Sequence, residues 1–207
     1  MKITKIELQK QNKKRASVFL DGEFSFGANI ETIYDYALRC SDEIDEKLKD
    51  EILKKDAEKD ARNIALNLVA HHPFLEKELE RKLSLKGCSP ASIQSAVAFL
   101  KNYGYIDDQN YIKEYIRQKS RLYGEGRIRS NLISKGASKD LVERTLKENY
   151  HSDLEYEKAK KWAEKKLHSY NKDSFDSKYR KLYAFLIRKG VSYEISSCVV
   201  KELLSSC

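Results

Sequence analysis

One short motif, Leu-x-x-Lys-Gly-x-Ser, occurs three times in the chain. Its copies are Leu83-Ser-Leu-Lys86-Gly87-Cys88-Ser89, Leu132-Ile-Ser-Lys135-Gly136-Ala137-Ser138 and Leu186-Ile-Arg-Lys189-Gly190-Val191-Ser192. The three glycines lie 49 and then 54 residues apart. A recurrence at this spacing indicates a tandem array of small structural units. Such arrays usually present an extended surface to a long partner.

Apolar residues around each glycine follow helical spacing. Leu79, Ile128 and Leu182 precede the glycines by eight positions, and a leucine precedes each by four. Because residues four apart share one face of a helix, a helix should end at each glycine. Glycine closes a last helical turn well, and the serine two positions later is a good N-cap for the next helix. We therefore interpret the shared residues as a structural helix–turn–helix junction: Leu83, Lys86, Gly87, Ser89, Leu132, Lys135, Gly136, Ser138, Leu186, Lys189, Gly190 and Ser192.

The N-terminal segment has a different pattern. Residues 2–10 alternate apolar and polar side chains, as a half-buried strand does. Residues 15–28 contain two further apolar runs around Asp21-Gly22, which is a strong hairpin signal. We expect Lys13, Lys14 and Arg15 in the first loop of this β element. From about Glu31 onward the pattern is helical.

Composition favours a polyanionic partner. The 207 residues include 40 Lys and Arg against 32 Asp and Glu, which gives a net charge of +8. The four cysteines, Cys40, Cys88, Cys198 and Cys207, show no close pairing, so we expect free thiols in a reducing compartment. The chain shows neither a membrane-spanning apolar run nor a signal-peptide core, and we expect a cytoplasmic protein.

Asp107-Asp108 is the one pair of acids that invites a catalytic or metal-binding interpretation. A metal site needs further converging oxygen ligands, and the sequence supplies none nearby. An aspartate at the start of the helix through Tyr111 and Tyr115 is an ordinary N-cap. No phosphate-binding loop or nucleophile motif occurs, so we expect neither an enzyme, nor a metal, nor a cofactor.

Basic residues concentrate in two places. Residues 110–150 hold ten basic and five acidic groups, and residues 177–207 hold six against two. The segment from Arg117 to Arg129 also contains Tyr123 and a glycine pair, which we expect to be flexible. Cations contact phosphates, and an aromatic ring stacks on an exposed base. The candidate nucleic-acid or partner-binding residues are Arg117, Lys119, Arg121, Tyr123, Arg127, Arg129, Lys135, Lys178, Arg180, Lys181, Arg188 and Lys189.

Three stretches together resemble the RecX family, regulatory proteins of bacterial recombination. They are Glu78-Leu79-x-x-x-Leu83-x-x-Lys86-Gly87, then Gly104-Tyr105-Ile106-Asp107-Asp108 followed by Tyr111, and Gly124-x-Gly126-Arg127-Ile128 leading into Leu132-x-x-Lys135-Gly136. The resemblance covers roughly residues 50–205. It implies a mainly α fold of three tandem three-helix repeats, forming an elongated, curved array after a small N-terminal β-hairpin element. We place the N-terminal element and a short helix at 1–48, and the repeats at 49–106, 107–150 and 151–207.

The resemblance also implies partners and a role. RecX-like proteins bind RecA and its filament on DNA, modulate its ATPase and strand-exchange activities, and contact DNA. By that likeness we expect a monomer that binds RecA, the RecA–DNA filament and single- or double-stranded DNA with weak sequence specificity. Inhibition is the expected direction, within DNA repair and recombination.

A second interpretation belongs to another class. Gly87-Cys-Ser89 followed by Ile93 is similar to the turn of a DNA-reading helix-turn-helix, which would make the chain a sequence-specific transcription regulator. Against this, the position four before each glycine is leucine, where two crossing helices usually require a small residue. The following helix is also poor in base-reading side chains, with Gln94 as the main one.

Overall fold

The computed structural model describes residues 1–151 and 154–205, so Cys207 lies outside the described residues. The N-terminal segment forms three strands, β1 (Ile3–Leu8), β2 (Arg15–Leu20) and β3 (Glu23–Asn29), in an antiparallel sheet of order β1-β2-β3. Asp21 and Gly22 have φ of 49° and 94°, as a two-residue hairpin turn of the primed type requires. The predicted hairpin is confirmed, and β1 adds a third strand to it.

Ten helices follow in the described part of the chain. They are α1 (Ile30–Asp35), α2 (Glu46–Val69), α3 (Glu76–Leu85), α4 (Pro90–Asn102), α5 (Asp108–Lys119), α6 (Glu125–Ser134), α7 (Lys139–Asn149), α8 (Glu155–Leu167), α9 (Phe175–Lys189) and α10 (Tyr193–Ser205). A short 3₁₀ turn, His168–Tyr170, follows α8. The mainly α class predicted from the sequence is confirmed. None of the described helices has both the length and the apolar character needed to cross a bilayer.

One face of the sheet packs on α1 and the start of α2. Side chains from all three strands enter this core, because alternate residues of a strand point to the same side. The buried members are Ile3, Val18, Leu20, Phe26, Ala28, Leu38, Ile44 and Ile52. The sheet is thereby fixed on the N-terminal half of a 24-residue helix.

A buried carboxylate joins the sheet to α2. Asp56, 3% exposed, accepts hydrogen bonds from the backbone N–H of Asn29 at 2.7 Å and from the Thr32 hydroxyl at 2.7 Å. Arg15 donates to Asp56 at 3.1 Å and also pairs with Asp60. Arg15 was expected in the first loop, but it is the first residue of β2. Its charge is paired with two acids of α2.

The helical repeats each enclose a small core. In the first, Ala61 and Ala65 of α2 pack against α3 and α4. In the second, α5, α6 and α7 enclose a core that includes Ile112 and Ile116. In the third, α8, α9 and α10 enclose Ala159 and Ala163. The residues predicted to share a helix face, namely Leu79, Leu83, Ile128, Leu132, Leu182 and Leu186, are all fully buried.

The repeated motif lies at a turn between two helices in each of its three copies. Gly87, Gly136 and Gly190 all have positive φ, at 84°, 102° and 88°. Ser89 caps α4 by accepting from the N–H of Ser92, and Ser192 accepts from the N–H of Ile195. Ser138 occupies the same N-cap position but its side chain makes no capping hydrogen bond.

The chain divides into two compact units. One comprises residues 1–74 and 78–106, and the other comprises residues 75–77 and 107–207. The first therefore holds the sheet and the first repeat, and the second holds the remaining two repeats. The domain boundaries drawn from the sequence, after residues 48, 106 and 150, stay predictions.

Candidate nucleic-acid interface

The glycine pair between α5 and α6 packs against the turn between α9 and α10. The N–H of Gly124 donates to the carbonyl of Lys189 at 2.8 Å, and the N–H of Gly126 donates to the carbonyl of Gly190 at 3.0 Å. A Cβ on Gly124 would lie 2.6 Å from the carbonyl oxygen of Gly190. The pair expected to be flexible instead joins the second repeat to the third by main-chain hydrogen bonds.

Two of the predicted binding cations reinforce this join. The guanidinium of Arg127 donates to the carbonyl of Arg188 at 2.7 Å and lies 4.9 Å from the Tyr123 ring centroid. The ammonium of Lys189 donates to the carbonyl of Leu122 at 3.0 Å. It also lies 5.6 Å from the Tyr123 ring and 5.1 Å from that of Trp162. Two cations of the protein thus lie near the Tyr123 ring.

A buried glutamate lies beside the join. Glu155 accepts a hydrogen bond from the N–H of Glu125 at 3.1 Å and from the hydroxyl of Tyr150 at 3.0 Å. Burial, and then the neighbouring Glu155 charge, raise the pKa of Tyr150 well above its ordinary value. Local sequence patterns did not indicate this contact, because Glu125 and Glu155 are 30 positions apart.

Replacing Tyr150 by phenylalanine should destabilise the second unit by about 1.5–3 kcal/mol at neutral pH, the usual contribution of a hydrogen bond to a charged group. That difference should shrink above about pH 10. There the unfolded wild-type chain releases the Tyr150 proton while the folded chain retains it, so wild-type stability falls as pH rises. Urea unfolding followed by Trp162 fluorescence at pH 8 and pH 11 measures both values. A pH-independent difference would contradict this assignment.

Other predicted cations are also paired within the protein. Arg129 bonds Glu143 at 2.7 Å and also pairs with Glu125. Burial disfavours the Arg129 charge, but these two carboxylates outweigh it and raise its pKa. Arg117 pairs with Glu114 at 2.6 Å on the exposed surface of α5. Lys135 caps the end of α6 and is half-buried.

A second group of predicted cations forms no ion pair with any residue that the structure describes. This group contains Lys119, Arg121, Lys178, Arg180 and Arg188. Arg121, Arg180 and Arg188 are exposed. Their charges are therefore available to a ligand without breaking an existing pair.

Cations of this kind line a shallow cleft along α9. Its volume is about 260 Å³, and its lining consists of Tyr170, Arg180, Lys181, Ala184 and Arg188. Lys181 pairs with Asp173 at 2.8 Å, and its ammonium lies 5.4 Å from the Tyr170 ring. Helical spacing places residues 180, 184 and 188 on one face of α9. Tyr170 was not among the residues predicted from the sequence. It lies beside α9 only because the chain reverses direction after α8.

Arg188 also borders a larger cleft of about 610 Å³ next to the join. This cleft is lined by Arg127, Arg129 and the exposed Tyr193, as well as by the acids Glu125 and Glu155. Two of its three arginines already have partners within the protein: Arg127 bonds a backbone carbonyl, and Arg129 is paired with two glutamates. The basic surface with available charge therefore runs along α9, and Arg188 belongs to both clefts.

Asp107 and Asp108 have structural roles. Asp107 caps α5 by accepting from the N–H of Asn110 at 2.9 Å, which confirms the predicted N-cap. Asp108 accepts a hydrogen bond at 2.8 Å from the N–H of Glu76, the first residue of α3. Among the described residues, no group of three or more His, Cys, Asp or Glu is placed to hold a metal ion.

Comparison with protein families gives three matches along the chain. Residues 1–45 match the N-terminal domain of the regulatory protein RecX. Residues 61–100 match the first three-helix domain of RecX, and residues 153–200 match its third three-helix domain. The first of these matches covers the β element, which the sequence resemblance had not included.

Individual relatives agree over nearly the whole length. The regulatory protein RecX of Clostridium botulinum strain Eklund 17B is 39% identical over 99% of this chain and 97% of its own. That of Clostridium beijerinckii is 35% identical over 99% and 96%. A crystal structure of regulatory protein RecX superposes with a TM-score of 0.72 at 26% identity, covering 96% of this chain and 98% of the other. RecX from Lactobacillus salivarius gives 0.64 at 30% identity, over 72% and 97%.

Proposed function

The chain belongs to the RecX family of regulatory proteins, and from this premise we propose that it regulates the RecA recombinase. It binds RecA and the RecA–DNA filament, and it lowers RecA ATPase and strand-exchange activity. It acts as a cytoplasmic monomer by occupying the filament and changes no covalent bond itself. The observation that carries this proposal is the row of available cations on α9, on a chain whose relatives are named regulatory proteins.

The predicted cations have two different roles, one in holding the protein together and one in binding DNA. Arg127 and Lys189 hold the second and third repeats together through their contacts with backbone carbonyls and Tyr123. Arg129 is paired with Glu143 and Glu125 inside the second repeat. Their charges still contribute to the positive field, but their side chains are committed.

Arg121, Arg180 and Arg188 are exposed and form no ion pair with the described residues, so they contact DNA phosphates directly. Phosphate contacts depend on charge and reach, not on base identity, which agrees with weak sequence specificity. Tyr170, beside Lys181, supplies an aromatic surface at the same cleft.

The decisive experiment measures RecA ATPase on single-stranded DNA with increasing amounts of this protein. The wild-type chain should lower the rate. The triple substitution of Arg121, Arg180 and Arg188 by alanine should weaken both this effect and direct binding to single-stranded DNA. Removing three phosphate contacts should also flatten the dependence of log affinity on log salt concentration by about two.

The matched control replaces Arg39, Lys47 and Lys54 by alanine. These three cations are exposed and lie in residues 30–60, where eleven acids outnumber six bases. The net charge changes equally, so this variant should keep the wild-type salt dependence. The absence of any effect of the wild-type chain on RecA ATPase would overturn the proposed function. Equal loss of binding in the two triple variants would show that only total charge matters.

A further inference from the structure

The outer face of the N-terminal sheet carries two phenylalanines. Phe19 of β2 pairs with Phe24 of β3, and the strand register shifts between Val18 and Phe19. Because of this irregularity Phe24 does not share the core-facing side of Phe26, and both Phe19 and Phe24 lie outside the core that contains Val18 and Phe26. Their ring centroids are 5.9 Å apart with the planes at 78°. Phe24 is 60% exposed. Neither ring belongs to a hydrophobic cluster within the described residues.

A polar hollow adjoins this aromatic pair. Its volume is about 440 Å³, and besides Phe19 it is lined by Glu7, Leu8, Gln9, Lys10, Gln11 and Ser17. The Gln9 amide nitrogen lies 3.5 Å from the Ser17 hydroxyl, and it fills the space that a Cβ on Gly27 would take. Amide and hydroxyl groups offer both donors and acceptors to the edge of a nucleobase.

Two lysines lie at the same face. The Lys5 ammonium pairs with Glu7 and lies 5.6 Å from the Phe19 ring. Lys10 lines the hollow and forms no ion pair with any residue that the structure describes. The face therefore combines an exposed ring, hydrogen-bonding groups and available positive charge.

These three properties together select the ligand. A single DNA strand offers unstacked bases to aromatic rings and phosphates to lysines, and exposed aromatic side chains on a sheet are a known way to hold such bases. Duplex DNA keeps its base faces stacked and could use the lysines alone. A protein partner would bury a broader apolar surface than two rings provide.

We propose that the outer face of the sheet is a binding site for single-stranded DNA. One base stacks on Phe24, and Gln9 and Ser17 face the edge of a neighbouring base. Lys10 contacts a phosphate. The site rests on the proposed function in one respect, the association of this chain with DNA. It adds a contact in the first unit to the α9 cleft of the second.

The test compares Phe24→Ala with Tyr34→Ala in the full chain. Tyr34 is 79% exposed on α1 and belongs to the same unit, so its loss removes an exposed aromatic ring away from the sheet face. Fluorescence anisotropy with a labelled oligothymidine should show binding weakened about 5- to 150-fold for Phe24→Ala, the range expected for one lost base stack. Tyr34→Ala should bind as the wild type does. Since no cation is removed, the salt dependence should not change in either variant.

A second measurement locates the contact directly. Oligonucleotides carrying 5-iodouracil should photo-cross-link to Phe24 or Phe19, which mass spectrometry detects in the tryptic peptide of residues 16–39. Wild-type affinity of Phe24→Ala, or cross-links confined to the second unit, would overturn the site while leaving RecA regulation intact. Altered RecA ATPase with unaltered DNA affinity would assign the face to a protein and also overturn it. If the intact chain binds no single-stranded DNA, the site is refuted, and the ATPase experiment still decides the proposed function separately.

Discussion

Substitution of Gly190 by alanine is expected to destabilise the second unit by about 2–5 kcal/mol, counting about 1–2 kcal/mol for a left-handed backbone and about 1–3 kcal/mol for overpacking. Gly190 has φ of 88°, and a Cβ there would meet the backbone N, Cα and Cβ of Arg127. Because two of these atoms belong to the backbone, the steric clash can be relieved only by separating the α9–α10 turn from α6. Urea unfolding followed by circular dichroism and by Trp162 fluorescence measures the loss.

Gly87→Ala is the matched control. Gly87 occupies the same position of the repeated motif and has nearly the same φ, 84°. A Cβ added to Gly87, however, would meet no atom within 4 Å. Its substitution should therefore cost only the backbone component, about 1–2 kcal/mol. Equal losses at Gly87 and Gly190 would contradict the close approach of the second and third repeats.

Asp56→Ala should destabilise the first unit by about 3–5 kcal/mol, the cost of removing one partner from a buried ion pair. The change leaves the N–H of Asn29 and the hydroxyl of Thr32 buried without their acceptor. It also removes one of the two carboxylates that neutralise Arg15. Circular dichroism during urea titration should show an earlier transition for the first unit.

Asp60→Ala provides the comparison on the same helix. The Asp60 side chain is 40% exposed, although it also bonds Arg15 and the Asn29 side-chain amide. Solvent compensates much of its loss, so about 1 kcal/mol is expected. If Asp60→Ala proves as damaging as Asp56→Ala, burial is not what makes Asp56 important.

Local signals accounted for most of the helices, strands and turns. The spacing of Leu79 and Leu83 marked a buried helix face, and the glycines marked the turns, because both properties depend on residues within one or two helical turns. The Asp21-Gly22 hairpin followed for the same reason. The alternating pattern of the β element indicated strands but no family. The match of residues 1–45 to the RecX N-terminal domain supplied that assignment.

The candidate interface was less predictable. The residues from Arg117 to Arg129 looked alike in sequence, as cations beside glycine and tyrosine. Which of them remain available depends on partners far along the chain: the acceptor of Arg127 is the carbonyl of Arg188, 61 positions away. Such pairings follow from how helices pack, which local periodicity does not specify. The same holds for Arg15, whose charge looked available in a basic loop and is bound to α2.

The join between the second and third repeats is made chiefly by main-chain atoms. The amides of Gly124 and Gly126 donate to the carbonyls of Lys189 and Gly190, so these contacts do not depend on the side chains of Arg180 and Arg188. Substitution of Arg180 or Arg188 should therefore change the charge of the α9 surface without breaking the main-chain hydrogen bonds between the two repeats. Surface charge and repeat geometry are thus set by different atoms of the same helix and turn.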